Sequence, residues 1–228
     1  RQEHLKVGFS FNVKRMTPDL AGEADDEAEY DSPKTLQAIR EAIASYGHQV
    51  IDLEATPDLP VQLLSTPVDV VFNIAEGFKG RNRESQVPAL LELLDIPYTG
   101  SDPAALSVSL DKALAKRMVR THGILTPDFC VMQTGKERLP RELSTFPMLV
   151  KPVAEGTSKG VTRKSIVHDE TELREVAREL IQKYRQPALV EGYVAGREFT
   201  VGMLGERRPR VLPPMEIVFL DETDPTPI

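Results

Sequence analysis

Val150-Lys151-Pro152-Val153-Ala154-Glu155-Gly156-Thr157-Ser158-Lys159-Gly160 is the stretch that decides how this chain is read. Met148, Leu149 and Val150 predict the end of an apolar strand, with Lys151 where that strand stops. A small loop follows, rich in hydroxyls and punctuated by two glycines. Glycines let backbone N–H groups approach an anion closely, and the lysine adds a fixed positive charge. The combination suits a nucleotide phosphate. Its spelling is not that of the P-loop, and Val161-Thr162 predicts a strand after it rather than a helix. A surface turn beside a snorkelling lysine is the alternative reading.

Working outward, the 228 residues suffice for one large or two small domains with a real core. Hydrophobic residues at 40% and charged residues at 28% are ordinary for a soluble globular protein. A formal net charge of −7, with no basic run, argues against non-specific nucleic-acid binding. One cysteine, Cys130, allows no disulfide within the chain and suits a reducing interior. It lies in the apolar run Phe129-Cys130-Val131-Met132 and reads as a buried, inert thiol. No apolar run is long enough to cross a bilayer, and no signal-peptide pattern is seen. The chain opens on Arg1, so a few preceding residues are expected to be missing. It ends on Asp221-Glu222-Thr223-Asp224-Pro225-Thr226-Pro227-Ile228, which reads as an unfinished loop.

The first half predicts a doubly wound α/β domain. Leu5 to Phe11 is a first strand, and residues 17 to 31 are an acidic, turn-rich loop. Ser32-Pro33 caps and starts a helix whose apolar face is Leu36, Ile39, Ala42 and Ile43, ending at Gly47. Val50 to Leu53 and Asp69 to Ile74 are strands, the second apolar enough to be buried and parallel. Glu84 to Leu94 is helical with Val87, Leu90, Leu91 and Leu94 inward. From Ser101 the pattern becomes α+β. Asp102-Pro103 starts a short helix, and Asp111 to His122 forms another, stopped by Gly123. Pro127 to Met132 and Phe146 to Lys151 are strand-like. Asp169 caps a helix that reaches Tyr184, with Glu172 three residues on. Ala188 to Tyr193, Glu198 to Leu204 and Met215 to Phe219 are strands.

Several of these stretches, taken in order, carry a resemblance. They are Asp111-Lys112-Ala113-Leu114-Ala115-Lys116, Val150-Lys151-Pro152 and Glu155-Gly156-Thr157-Ser158-Lys159-Gly160. Leu189-Val190-Glu191-Gly192-Tyr193 and Gly196-Arg197-Glu198-Phe199-Thr200-Val201 follow. Ahead of them, Leu90 to Ser101 is similar to a junction between domains. The set resembles the ATP-grasp ligases, most closely the D-alanine–D-alanine ligases, over roughly residues 70 to 220. The fold implied is a doubly wound N-terminal domain over residues 1–100, an α+β ATP-grasp central domain over 101–186, and the start of a C-terminal domain over 187–228.

The resemblance implies a cytoplasmic enzyme that joins two amino acids for peptidoglycan precursor synthesis. ATP phosphorylates the carboxylate of one amino acid, and the amine of the second attacks the acyl phosphate. Such chemistry needs cations on the phosphates, a divalent metal and exclusion of water. Lys112 and Lys151 match the family's two phosphate-contacting lysines, and Lys116 is left as an ordinary surface lysine. Glu155, Gly156 and Gly160 frame the loop over the phosphates, with Thr157 and Ser158 nearest the reaction centre. Glu191, Gly192 and Tyr193 would hold the adenine, the latter two through their backbone N–H and C=O groups. Glu198 would accept from the ribose hydroxyls.

Two departures qualify that implication. The family's glycine-rich loop after the first strand is replaced by Phe11-Asn12-Val13-Lys14-Arg15 and the acidic insertion. This leaves Glu29 near the place of the glutamate that receives the first substrate's ammonium. A usual histidine-glycine pair is replaced by Glu76-Gly77, so Glu76 either holds an ammonium or caps a turn at a strand's carboxyl end. Arg81 or Arg83 either meets a substrate carboxylate or forms a surface salt bridge with a neighbour. The family's metal ligands, expected for Mg²⁺, fall beyond residue 228, so the chain itself is expected to be an inactive fragment. Family members often pair through the N-terminal domain, which implies a homodimer. A ligase for other amino acids, or a nucleotide-binding protein that has lost catalysis, are the remaining alternatives.

Overall fold

A computed structural model describes residues 4–15 and 27–218. Most of the acidic insertion, residue 219 and the closing loop with Asp221, Glu222 and Asp224 lie outside the described residues. Two compact units are formed. One runs to Thr126 and takes back Pro152–Gly160, and the other comprises Pro127–Lys151 and the chain from Val161 onward.

The first unit holds β1 (Lys6–Phe11), α1 (Pro33–Ser45), β2 (Gln49–Glu54), α2 (Leu59–Ser65) and β3 (Val70–Asn73). A short 3-10 turn (Arg83–Ser85) then leads into α3 (Gln86–Leu93), α4 (Pro103–Leu110) and α5 (Lys112–Thr121). The three strands are parallel in the order β2-β1-β3. Val71 N–H donates to Pro97 and Val71 C=O accepts from Thr99, which extends the sheet past β3. Alternation along β1 sends Phe9 and Phe11 against Leu36 of α1. The opposite face gathers Leu53, Val71, Leu59, Leu63, Val87 and Leu91 under α2 and α3. Helices therefore cover both faces, as the doubly wound reading requires.

Ser32 caps α1 through Thr35 N–H, with proline in its first turn, as the sequence predicts. Helix α2 was not expected. Its seven residues are too few to show a period, and Thr56-Pro57 ahead of it reads as a turn. Burial of Leu59 and Leu63 holds it instead.

The second unit has β4 (Phe129–Met132), β5 (Met148–Pro152), β6 (Ile166–Val167), α6 (Glu170–Tyr184) and β7 (Ala188–Gly192). Its four-stranded sheet has the order β4-β7-β5-β6. Met132, Met148, Val150, Leu173, Ala177 and Val190 form its core beneath α6. Asp169 caps α6 through Thr171 and Glu172 N–H, and Glu172 returns a bond to His168 N–H. Cys130 is half-buried, and burial raises its thiol pKa.

Two expectations need correcting here. Val161-Thr162 forms no strand, because Thr162 and Ser165 cap one another across a 3-10 turn (Arg163–Ser165). The single strand expected over Glu198 to Leu204 is two: β8 (Glu198–Thr200) and β9 (Met203–Leu204). They pair with different partners, β11 (Met215–Ile217) and β10 (Arg210–Val211). A chain that changes partner between Thr200 and Met203 cannot continue one ladder. No helix among the described residues is long and apolar enough to cross a membrane.

Candidate active site

The carboxyl ends of β1, β2 and β3 are tied together by one side chain. Asn12 Oδ1 accepts from Glu76 N–H at 2.9 Å and from Gly77 N–H at 3.1 Å, while its amide donates to Ala55 C=O at 3.2 Å. Asn12 replaces the expected glycine-rich loop with a rigid polar staple, a role the sequence showed only as a polar residue at a strand end. Gly77 is required here. Its φ is +80°, and a Cβ would stand 1.9 Å from the Arg83 carbonyl.

Arg83 and Glu29 form the centre of the site. Arg83 Nη2 reaches the Glu29 oxygens at 2.5 and 2.8 Å, and Nε reaches Oε2 at 3.0 Å. The two side chains are only 9% and 4% exposed. The surface salt bridge considered for Arg83 is therefore a buried one, whereas exposed Arg81 does pair with a neighbour, Asp111, at 3.0 Å. Burial works against the Arg83 charge, but the hydrogen bond and charge of Glu29 outweigh it and raise its pKa.

The loop after β5 is fastened to this pair. Arg83 Nη1 donates to Ala154 C=O at 2.9 Å, and Nη2 lies 3.4 Å from Glu155 Oε2. Gly156 N–H donates to Glu29 Oε1 at 2.5 Å. The anion expected at a loop glycine is thus the protein's own carboxylate in this conformation. Lys159 pairs with Glu155 at 3.3 Å, and Lys112 Nζ donates to the Glu155 carbonyl. Thr157 and Ser158 both take left-handed backbone conformations, φ 47° and 54°. For a β-branched threonine that geometry is strained, and such strain gathers at ligand-handling loops. A cleft of about 570 Å³ opens here, lined by Asn12, Arg15, Glu29, Arg83, Glu155 and Lys159 among others.

Glu76 is half-buried at the end of β3. Desolvation raises its carboxyl pKa most, Glu84 and Glu29 add to this, Arg83 opposes it, and the result is about 7. Burial also raises Glu84, against the pull of Arg83. The first unit therefore brings together Glu29, Glu76, Lys112, Glu155, Gly156, Thr157, Ser158 and Gly160.

In the second unit Lys151 Nζ lies 2.5 Å from Glu191 Oε1, with Glu191 only 8% exposed on β7. Gly192 N–H donates to Asp128 C=O and Tyr193 N–H to Pro147 C=O. These two donors, expected for adenine, are committed to the protein in this conformation. Glu198 is exposed on β8. Lys116, expected to be a plain surface lysine, is half-buried and bonds Thr126 Oγ1 at 2.5 Å. Among the described residues no three His, Cys, Asp or Glu side chains are grouped to hold a metal.

Residues 118–223 match the D-ala D-ala ligase C-terminus. The D-alanine–D-alanine ligase of Aquifex aeolicus (strain VF5) is 41% identical over 199 residues, 87% of this chain. The chain belongs to the D-alanine–D-alanine ligase family. It covers 65% of the Aquifex ligase. A D-alanine–D-alanine ligase of Syntrophotalea carbinolica (strain DSM 2380 / NBRC 103641 / GraBd1) is 42% identical over 173 residues, 76% of this chain and 54% of that relative. The chain thus spans less than two thirds of the length of these family members. Its fold matches the crystal structure of a family member from Bacillus anthracis complexed with ATP, with a TM-score of 0.71 at 21% identity. That match covers 96% of this chain and 68% of the solved one.

Proposed function

We propose that this chain provides the substrate-side and phosphate-loop parts of an ATP-dependent carboxylate–amine ligase, most simply a D-alanine–D-alanine ligase of peptidoglycan precursor synthesis. The observation that carries this is the meeting of Lys112 with the Glu155–Gly160 loop, a fixed cation beside glycine amides and two hydroxyls. Bound ATP would supply the phosphoryl group that activates the first carboxylate. Lys112 and Lys151 would each neutralise phosphate oxygens as charge shifts to the leaving group. Thr157 and Ser158 would shield the reaction centre from water. Glu191, Gly192, Tyr193 and Glu198 would line the adenosine side, through Tyr193's ring and the carbonyls rather than the two committed N–H groups. Glu76 would take the amine of a substrate.

The ligase is read as magnesium-dependent, cytoplasmic and homodimeric, with domains at 1–100, 101–186 and 187–228. The described residues provide no magnesium cage. One observation favours a second reading within the same chemistry, a first amino acid other than D-alanine: the Glu29 carboxylate is already saturated by Arg83 and Gly156.

The test is phosphate release by the full-length protein from ATP with D-alanine and a panel of other amino acids. D-alanine-dependent release with D-alanyl-D-alanine as product is expected. Release only with another amino acid selects the second reading, and release with none overturns both. Lys112→Met is expected to lower kcat by roughly hundredfold or more. Unchanged turnover would remove that lysine from the phosphate site.

A further inference from the structure

A buried ion pair is tolerated when its geometry is close to ideal and its remaining hydrogen-bonding capacity is met. The Glu29–Arg83 pair satisfies both conditions, and it does so with the loop. Glu29 Oε1 accepts one guanidinium N–H and the Gly156 N–H, and Oε2 accepts two guanidinium N–H groups. The other edge of the guanidinium donates to Ala154 C=O and reaches Glu155. Three successive loop residues are thus fixed by one planar cation and one carboxylate. Space around them is tight. A Cβ on Gly156 would stand 2.8 Å from Glu29 Oε1, and the Arg83 backbone is pressed against Gly77. A lysine offers a point charge on a flexible stem and cannot serve both edges at once.

We propose that Arg83 is a positioning residue for the loop 153–160, and that Glu29 is its partner in this rather than the seat of the first substrate's ammonium. The proposal rests on the ligase reading of the site. An ammonium approaching Glu29 would have to displace an N–H already bonded there and would meet the guanidinium charge. The loop, by contrast, loses its bond at Ala154 if Arg83 goes and its bond at Gly156 if Glu29 goes. Arg83 touches no reacting atom in this assignment. It acts through the placement of Thr157, Ser158 and the loop amides.

Three variants of the full-length protein test it: Arg83→Met, Arg83→Lys and Glu29→Gln. They are read by steady-state kinetics and by hydrogen–deuterium exchange over residues 153–160. Arg83→Met is expected to speed exchange in the loop and lower kcat by roughly hundredfold. The amino-acid KM should stay within about twofold of wild type. Arg83→Lys should recover part of the kcat. Glu29→Gln, which is isosteric and keeps an acceptor for Gly156, should follow Arg83→Met in direction. It also carries the test alone if Arg83→Met does not fold. A rise of about tenfold or more in amino-acid KM for Glu29→Gln with loop exchange unchanged overturns the proposal. So does an Arg83→Met protein with wild-type exchange and turnover. If the full-length protein joins no amino acids the ligase reading falls, while the exchange measurement still decides whether Arg83 holds the loop.

Discussion

Ser10 is 1% exposed in the middle of the first sheet, and its hydroxyl finds no hydrogen-bond partner among the described residues. A buried hydroxyl without a partner is a desolvation cost with no return. Ser10→Ala is therefore expected to raise unfolding free energy by about 1 kcal/mol in urea titrations. Glu76 gives a pH signature instead. Its carboxyl pKa is raised from 4.5 to about 7, so the folded protein holds this proton where the unfolded chain has released it. Its favourable contribution is complete below the unfolded pKa and is lost as pH rises toward 7. Measured from about pH 5 to about pH 8, wild type should lose stability relative to Glu76→Gln. The difference should be of order 1 kcal/mol, since the group is only half-buried. A flat difference across that range would show Glu76 ionising as an ordinary surface carboxylate. These residue-level roles were only partly legible. The sequence singled out Glu29, Glu76, Lys112 and Lys151 from motif position. It could not show that Glu29 is bonded to Arg83, because that contact joins positions 54 apart through a loop of unmarked register.

Helix α5 illustrates how much an element can reveal before its environment is known. Asp111 was read as its start, and Asp111 Oδ1 does cap it through the N–H groups of Ala113 and Leu114. Nothing in the sequence indicated that Oδ2 of the same residue holds Arg81. Asp111→Ala removes both contacts at a buried helix start beside Lys112. A loss of about 1–2 kcal/mol is expected by helix-monitored denaturation. Asp169→Ala in α6 is the control without a neighbouring site. It should cost about 1 kcal/mol and leave ATP affinity unchanged. Elements with strong caps and long apolar faces were read within a residue or two. The failures were short elements, such as α2 and the broken β8 and β9, where tertiary burial or a change of strand partner decides the outcome and no periodicity can accumulate.

At the scale of the molecule, each hydrophobic cluster described above draws its members from one unit. Leu53, Val71 and Leu91 belong to the first, Met148, Leu173 and Val190 to the second. Leu173 is fully buried, so Leu173→Ala should destabilise its unit by about 2–5 kcal/mol. Hydrogen exchange should quicken across β4, β7, β5 and α6 and stay slow in β1 to β3. Equal quickening everywhere would mean the whole chain unfolds as one. The doubly wound first half and the α+β second half were both readable from hydrophobic pattern. That Pro152–Gly160 is taken back by the first unit was not, since local sequence carries no record of which distant surface a loop meets.

The bond between Glu29 and Gly156 spans 127 positions of the chain. Closing so long a span is entropically slow. During synthesis Glu29 emerges well before its partner Gly156. Refolding should therefore restore the far-ultraviolet helix signal before the loop amides become protected. A chain that folds this way gains its secondary structure early and the anchoring of its glycine loop late.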